Sequence, residues 1–119
     1  MADPKLNAIC PIFQVSNLQR GIDFYTRVMG FEVAWTWGEP PDRASLCRDA
    51  VEITLETERS PVPSHAYIQV AGIDAYFTRV TSAGAKVVYP LDDRFYGMRD
   101  GRISDPDGNH LGLGEALEK

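Results

Sequence analysis

The sequence has little of what several function classes require. Two cysteines, Cys10 and Cys47, stand in 119 residues. That is too few for a disulfide framework, so free thiols and a cytoplasmic setting are expected. No cluster of Lys and Arg occurs, and 12 basic residues against 17 acidic ones leave a formal net charge of −5. A phosphate backbone calls for a basic stripe, so nucleic acid is not an expected partner. No long apolar run follows Met1-Ala2-Asp3-Pro4-Lys5, so neither a signal peptide nor a membrane-spanning helix is expected.

What is there suits one globular domain over 1–119. Apolar residues make up 44% and charged residues 24%, an ordinary balance. The length suffices for one core and falls short of two conventional ones. The acidic surplus favours solubility. Concentrated in a groove, it would favour a cationic small molecule.

The chain repeats itself weakly. Ile9-Cys10-Pro11-Ile12-Phe13-Gln14-Val15 and His65-Ala66-Tyr67-Ile68-Gln69-Val70 are strand-like runs that share a Gln-Val ending. A helix is expected after each. Asn17 is a candidate N-cap, Leu18, Ile22, Tyr25 and Met29 form a helical stripe, and Gly30 is the stop. In the second copy Ile73, Phe77 and Val80 form the stripe and Gly84 the stop. Extended segments are expected over 31–37, 44–47 and Val51–Thr57, then over 85–89, 101–104 and 110–114. Asp105-Pro106-Asp107-Gly108-Asn109 carries turn chemistry, and Pro61-Val62-Pro63-Ser64 reads as a stiff linker. The expected fold is α+β. Two βαβββ modules, about 6–58 and 65–116, form a curved mixed and antiparallel sheet with the helices on its outer face. Neither half alone could easily bury a sheet face.

Strand alternation then assigns faces. Phe13, Val15, Ile53, Leu55, Ala66, Ile68, Leu111 and Leu113 turn to the helices. Cys10, Ile12, Gln14, Glu52, Thr54, Glu56, His65, Tyr67, Gln69, His110, Gly112 and Gly114 turn to a groove that is aromatic, polar and partly acidic. Trp35 and Trp37 share one face of their strand, and Tyr96 lies in a turn-rich aromatic loop. Flat rings suit stacking on a heteroaromatic ligand and attract cations. The candidate ligand-binding residues are therefore Trp35, Trp37, Glu52, Glu56, His65, Tyr67 and Tyr96.

The paired pattern resembles the vicinal-oxygen-chelate superfamily of glyoxalases, extradiol dioxygenases, and fosfomycin and bleomycin resistance proteins. The signs are Asp23-Phe24-Tyr25 before Met29-Gly30-Phe31-Glu32-Val33, then Tyr96-Gly97-Met98-Arg99-Asp100, then Asp105-Pro106-Asp107-Gly108-Asn109. The resemblance covers nearly the whole chain. It implies four metal-ligand positions, which fall on Cys10, Thr54, His65 and Gly112. Only His65 keeps a ligand residue type at its position, and a catalytic site needs about three protein ligands. No metal, no cofactor and no catalytic residue are therefore expected, although a shifted set of His65, His110 and Glu52 or Glu56 is conceivable. Cys10 and His65 could also form a thiol–imidazole pair if the modules pack about a pseudo-twofold.

Proline after the vacant position, at Pro11, resembles the bleomycin resistance proteins. So does an aromatic just before the glycine of the Tyr96-Gly97 pair. That likeness implies a homodimer with an exchanged N-terminal arm, and a ligand-sequestering role in antibiotic resistance. The alternative is a metal-dependent lyase, isomerase or dioxygenase of the same superfamily.

Overall fold

Short apolar alternations separated by turns give two matching modules. In the computed structural model, which describes residues 3–118, module one comprises β1 (Ile12–Val15), α1 (Leu18–Asp23), β2 (Glu32–Trp37), β3 (Arg43–Arg48) and β4 (Val51–Thr57). Module two comprises β5 (His65–Gln69), α2 (Ile73–Ser82), β6 (Lys86–Asp93), β7 (Met98–Ser104) and β8 (His110–Ala116). The α+β architecture of paired βαβββ modules is thus present. The strands form two four-stranded mixed sheets, ordered β1-β4-β3-β2 and β5-β8-β7-β6. In each sheet the first pair is parallel and the others antiparallel.

The first strand starts later than its apolar run suggested, at Ile12. Pro11 has no N–H to give a ladder. Its carbonyl still accepts from the Thr54 amide at 3.0 Å, and β1 is an edge strand. Asn17 caps α1 as expected, its side chain accepting from the Arg20 amide at 3.0 Å. The helix then departs from one regular run to Gly30. After Asp23 it widens into a π-helical turn, Phe24–Val28, closed by the Met29 amide on the Phe24 carbonyl. The wider turn lets Phe24 enter the core beside Tyr25 and Met29.

The start of α2 has a cap from outside its own segment. Gly72 takes a left-handed conformation and has no side chain to cap with. Glu115 on β8 reaches across instead, accepting from the amides of Gly72 at 3.2 Å and Ile73 at 3.1 Å. A carboxylate there also complements the helix dipole, a contribution of roughly 1 kcal/mol.

One apolar cluster runs through both modules, with Phe13, Leu55 and Val15 from the first and Ile103, Leu111 and Leu113 from the second. The modules are also joined by polar contacts from the Asp105–Asn109 turn. The Tyr25 hydroxyl donates to Asp105 at 2.9 Å, and the Asn109 amide group donates to the Gln14 carbonyl at 3.0 Å. Asp107 accepts from Ser16 and Arg20. The linker is pinned too, by the Val62 amide on Gln14 and the Ser64 amide on Asn109. The resulting body is flat, 50 × 49 × 23 Å, with a radius of gyration of 15.4 Å, against about 13.5 Å for a compact domain of this length. No helix among the described residues is long and apolar enough to cross a membrane.

Candidate functional site

Cross-strand register decides which side chains share the open faces, because directly paired residues point the same way. In module one, Ile12 pairs with Thr54, Thr54 with Ser45, and Ser45 with Trp35. The next row is Gln14, Glu56, Arg43 and Trp37. A bulge between Val33 and Trp35 sets the registration of both tryptophans. They line one pocket with Arg43 and are 44% and 64% exposed. Glu56 lies 4.0 Å from Arg43. Glu52 accepts a short hydrogen bond from the buried Ser45 hydroxyl.

Module two repeats the rows with different chemistry. His65, His110, Ser104 and Lys86 form one row, and Tyr67, Gly112, Arg102 and Tyr89 the next. Gln69, Gly114, Asp100 and Asp92 form the third. A cavity of about 480 Å³ opens there, lined by Tyr67, Tyr89, Arg94, Tyr96, Asp100 and Arg102 among others.

Its centre is a buried carboxylate. Asp100 accepts from the hydroxyls of Tyr96 at 2.7 Å and Tyr67 at 2.8 Å, and from Arg94 Nε at 3.0 Å. Burial pushes the Asp100 carboxyl up, but the hydrogen bonds from Tyr96, Tyr67 and Arg94 outweigh it and hold it below the usual carboxylate range. The Tyr67 phenol is raised by the partial burial of its hydroxyl and by its bond to Asp100. That bond is the main cause of the rise at Tyr96. Both hydroxyls are therefore fixed as donors to Asp100, and their lone pairs are left as acceptors. Arg102 sits over the Tyr89 ring, 5.2 Å from its centroid.

The Tyr67 ring lies flat across β8. A Cβ on Gly112 would stand 2.8 Å from Tyr67 Cδ2, and one on Gly114 would collide with the Tyr67 hydroxyl. Gly112 is one of the four metal-ligand positions of the resemblance, and its place is filled by a ring. At the first position, Cys10 Sγ is 3.3 Å from the Thr54 hydroxyl and 3.4 Å from the Glu52 carbonyl. With the Pro11 carbonyl at 3.5 Å these are its hydrogen-bond partners among the described residues, so the conceivable pair with His65 is not formed within the chain. His65 and His110 are registered neighbours, while Glu52 and Glu56 belong to the other sheet. Among the described residues no three His, Cys, Asp or Glu side chains are grouped to hold a metal ion. The donor set of one chain does not fit such an ion.

The structure thus brings Tyr67 and Tyr96 together, and separately Trp35 and Trp37, with Glu52 and Glu56 on the same open face but across β3 from the tryptophans. His65 lies one row away from Tyr67. Sequence reasoning missed Tyr89, Arg94, Asp100, Arg102, Arg43 and Ser45. For Asp100 a signal existed, since it sits among the quoted Tyr96–Asp100 residues. For Arg94 and Arg102 none did, because β6 and β7 pair through two register shifts.

The model of the Glyoxalase/Bleomycin resistance protein/Dioxygenase superfamily matches residues 5–113. The uncharacterized protein Rv0887c of Mycobacterium tuberculosis (strain ATCC 25618 / H37Rv) is 36% identical over 131 aligned positions, covering 94% of this chain and 76% of its own. Mb0911c of Mycobacterium bovis is equally similar, with 85% of its length covered. Among solved structures, TioX from Micromonospora sp. ML1 superposes with a TM-score of 0.83 at 21% identity, over 93% of this chain and 99% of that one. A putative glyoxalase family protein from Bacillus anthracis gives 0.80 at 19%, over 98% and 99%. At these identities the likeness to solved structures is one of fold.

Proposed function

We propose that this chain, which belongs to the Glyoxalase/Bleomycin resistance protein/Dioxygenase superfamily, is a metal-free small-molecule-binding protein of the bleomycin-resistance kind. It sequesters a flat aromatic compound carrying positive charge, in a groove completed by a second copy of the chain. The observation that carries this reading is the Tyr67 ring lying across Gly112, with its hydroxyl on Asp100. It puts an aromatic platform where metal-dependent relatives need a ligand.

The charge pattern supports an oriented ligand. Arg94 and Arg102 accompany Asp100 on the second module's face, so that half is not acidic. Glu52 and Glu56 accompany Arg43 on the first. A bound cationic group would sit near Glu52 and Glu56, and the rings near Tyr67, Tyr96, Trp35 and Trp37.

Dimerisation is supported by what the single chain leaves uncovered. Ile12, Trp35, Trp37, Tyr67 and Tyr89 are all exposed on the open faces, large apolar side chains that a second copy would cover. The described residues before β1, 3–11, have no regular structure and expose Leu6 and Ile9 almost fully. Exchanged between two copies, they would cover apolar surface on each.

The test is a fluorescence titration, since both tryptophans of the chain lie on β2. Proflavine, a planar cation, is expected to quench them and saturate at one per chain. Salt should weaken the binding, and so should Trp35→Ala and Tyr67→Ala. Equal binding of a planar carboxylate at every salt concentration would refute the electrostatic half. No binding of any planar probe would refute the whole. Equilibration with Zn²⁺, Ni²⁺, Mn²⁺ or Fe²⁺ that left one ion per chain would return the metal-dependent enzyme as the better reading.

A further inference from the structure

A second cavity, of about 510 Å³, lies at the seam between the modules and shares no lining residue with the cavity around Asp100 or the pocket of Trp35 and Trp37. Its volume is in the range of small-molecule sites. Module one supplies Phe31, Arg48 and Val51, and module two supplies Ile68, Val70 and Arg79, with Tyr76 and Ala75 from α2. Ile68 of β5 and Val70, just past its end, belong to one core-facing alternation, so the cavity is on the helix side of that strand.

Two guanidiniums line the cavity. Arg48 is held in place from three sides. Its Nη1 donates to the Met29 carbonyl at 3.1 Å, its guanidinium stacks 5.2 Å over the Tyr76 ring, and Gly30 leaves room that a Cβ would take. Tyr76 is held by the same carbonyl, to which its hydroxyl donates at 2.7 Å. Most of the five N–H donors of Arg48 stay uncommitted. Arg79 has no side-chain hydrogen bond or ion pair among the described residues. Both arginines act electrostatically on the Tyr76 phenol, opposing the rise that burial causes. The one carboxylate at the cavity is Asp49, 3.8 Å from Arg48 Nε and 91% exposed. Taken together, the cavity has one net positive charge and apolar walls.

We infer that this cavity binds a small organic carboxylate with a hydrocarbon body. The planar forks of the arginines match a carboxylate, and Phe31, Val51, Ile68 and Val70 receive the apolar part. A dianionic phosphate would bring charge in excess and leave the walls unused. Because both modules line it, the occupant clamps one against the other. The inference is independent of what the groove binds.

The test is isothermal titration of the whole chain with octanoate, octanamide, octylamine and inorganic phosphate. Octanoate is expected to bind once per chain without quenching the tryptophans, which lie outside this cavity, and to raise the melting temperature. Arg79→Gln should weaken it roughly tenfold, the loss expected for one charge-assisted hydrogen bond. Ala75→Trp should abolish it by filling the cavity. Both positions are exposed on α2, so the two variants test the site separately. The inference fails if millimolar octanoate does not bind, if octanamide, octylamine or phosphate binds as tightly, or if both variants bind like the parent. It also fails if octanoate quenches the tryptophans and is displaced by proflavine, because it then sits in the groove.

Discussion

Gly112→Ala places one methyl group where the Tyr67 ring lies. The added carbon would be 2.8 Å from Tyr67 Cδ2, about 0.7 Å inside the ~3.5 Å optimum for two carbons. Gly112 is not among the positive-φ residues, so the backbone accepts alanine and the conflict is with the ring alone. Tyr67 is 47% exposed and can swing outward. In doing so it carries its hydroxyl away from Asp100, now at 2.8 Å. The loss of a hydrogen bond to a charged group costs about 1.5–3 kcal/mol. With a small gain from replacing a strand glycine, the net is about 2 kcal/mol, or a melting temperature lower by roughly 8 °C. The same substitution in a Tyr67→Ala background has nothing to displace and should be neutral or slightly stabilising. Thermal and urea unfolding of the four proteins give the coupling directly. An equal cost in both backgrounds, or none in the parent, would refute the placement of the ring across β8 and the aromatic platform with it.

Two further outcomes follow from buried polar contacts. Asp100→Asn leaves Arg94 without its ion partner and weakens the acceptor of two phenols, at a cost of about 2–4 kcal/mol. The Asp100 carboxyl is depressed in the folded state. Its contribution is therefore present above the unfolded value of about 3.9 and lost as pH falls through the folded one. Acid unfolding monitored by circular dichroism should accordingly be shallower below about pH 4 in the variant, and an unchanged acid limb would contradict the reasoning. Tyr25→Phe removes the buried hydroxyl donated to Asp105, and should lower the urea midpoint by the equivalent of about 1.5–2 kcal/mol with an unchanged slope. A changed slope would mean that the two modules no longer unfold together.

Much of the fold was legible because its signals are local. Period-two alternation sorted Phe13, Leu55, Ile68 and Leu113 to the core, and Asn17, Gly30, Gly84 and Gly108 marked a cap and three turns. The mismatch of Cys10, Thr54 and Gly112 with a metal set was equally visible, since it concerns residue types at repeat-equivalent strand positions. The π-helical turn at Phe24 was not, because a helical stripe looks the same until a second ring must be buried.

The site divides along the same line. By itself the sequence determined the alternation that turns Tyr67 to the open face, and it singled out Tyr96 as a second ring, but it did not determine the rest of the lining. Only the tertiary structure decided that both hydroxyls close on Asp100, that Arg94 and Arg102 stand beside them, that Glu115 caps a helix from another strand, and that Arg48 and Arg79 line one cavity at the module seam. Those placements depend on cross-strand register, on two irregularities in β6 and on how the modules pack. Such relations are set by burying surfaces far apart in the chain, and no periodicity within one segment encodes them.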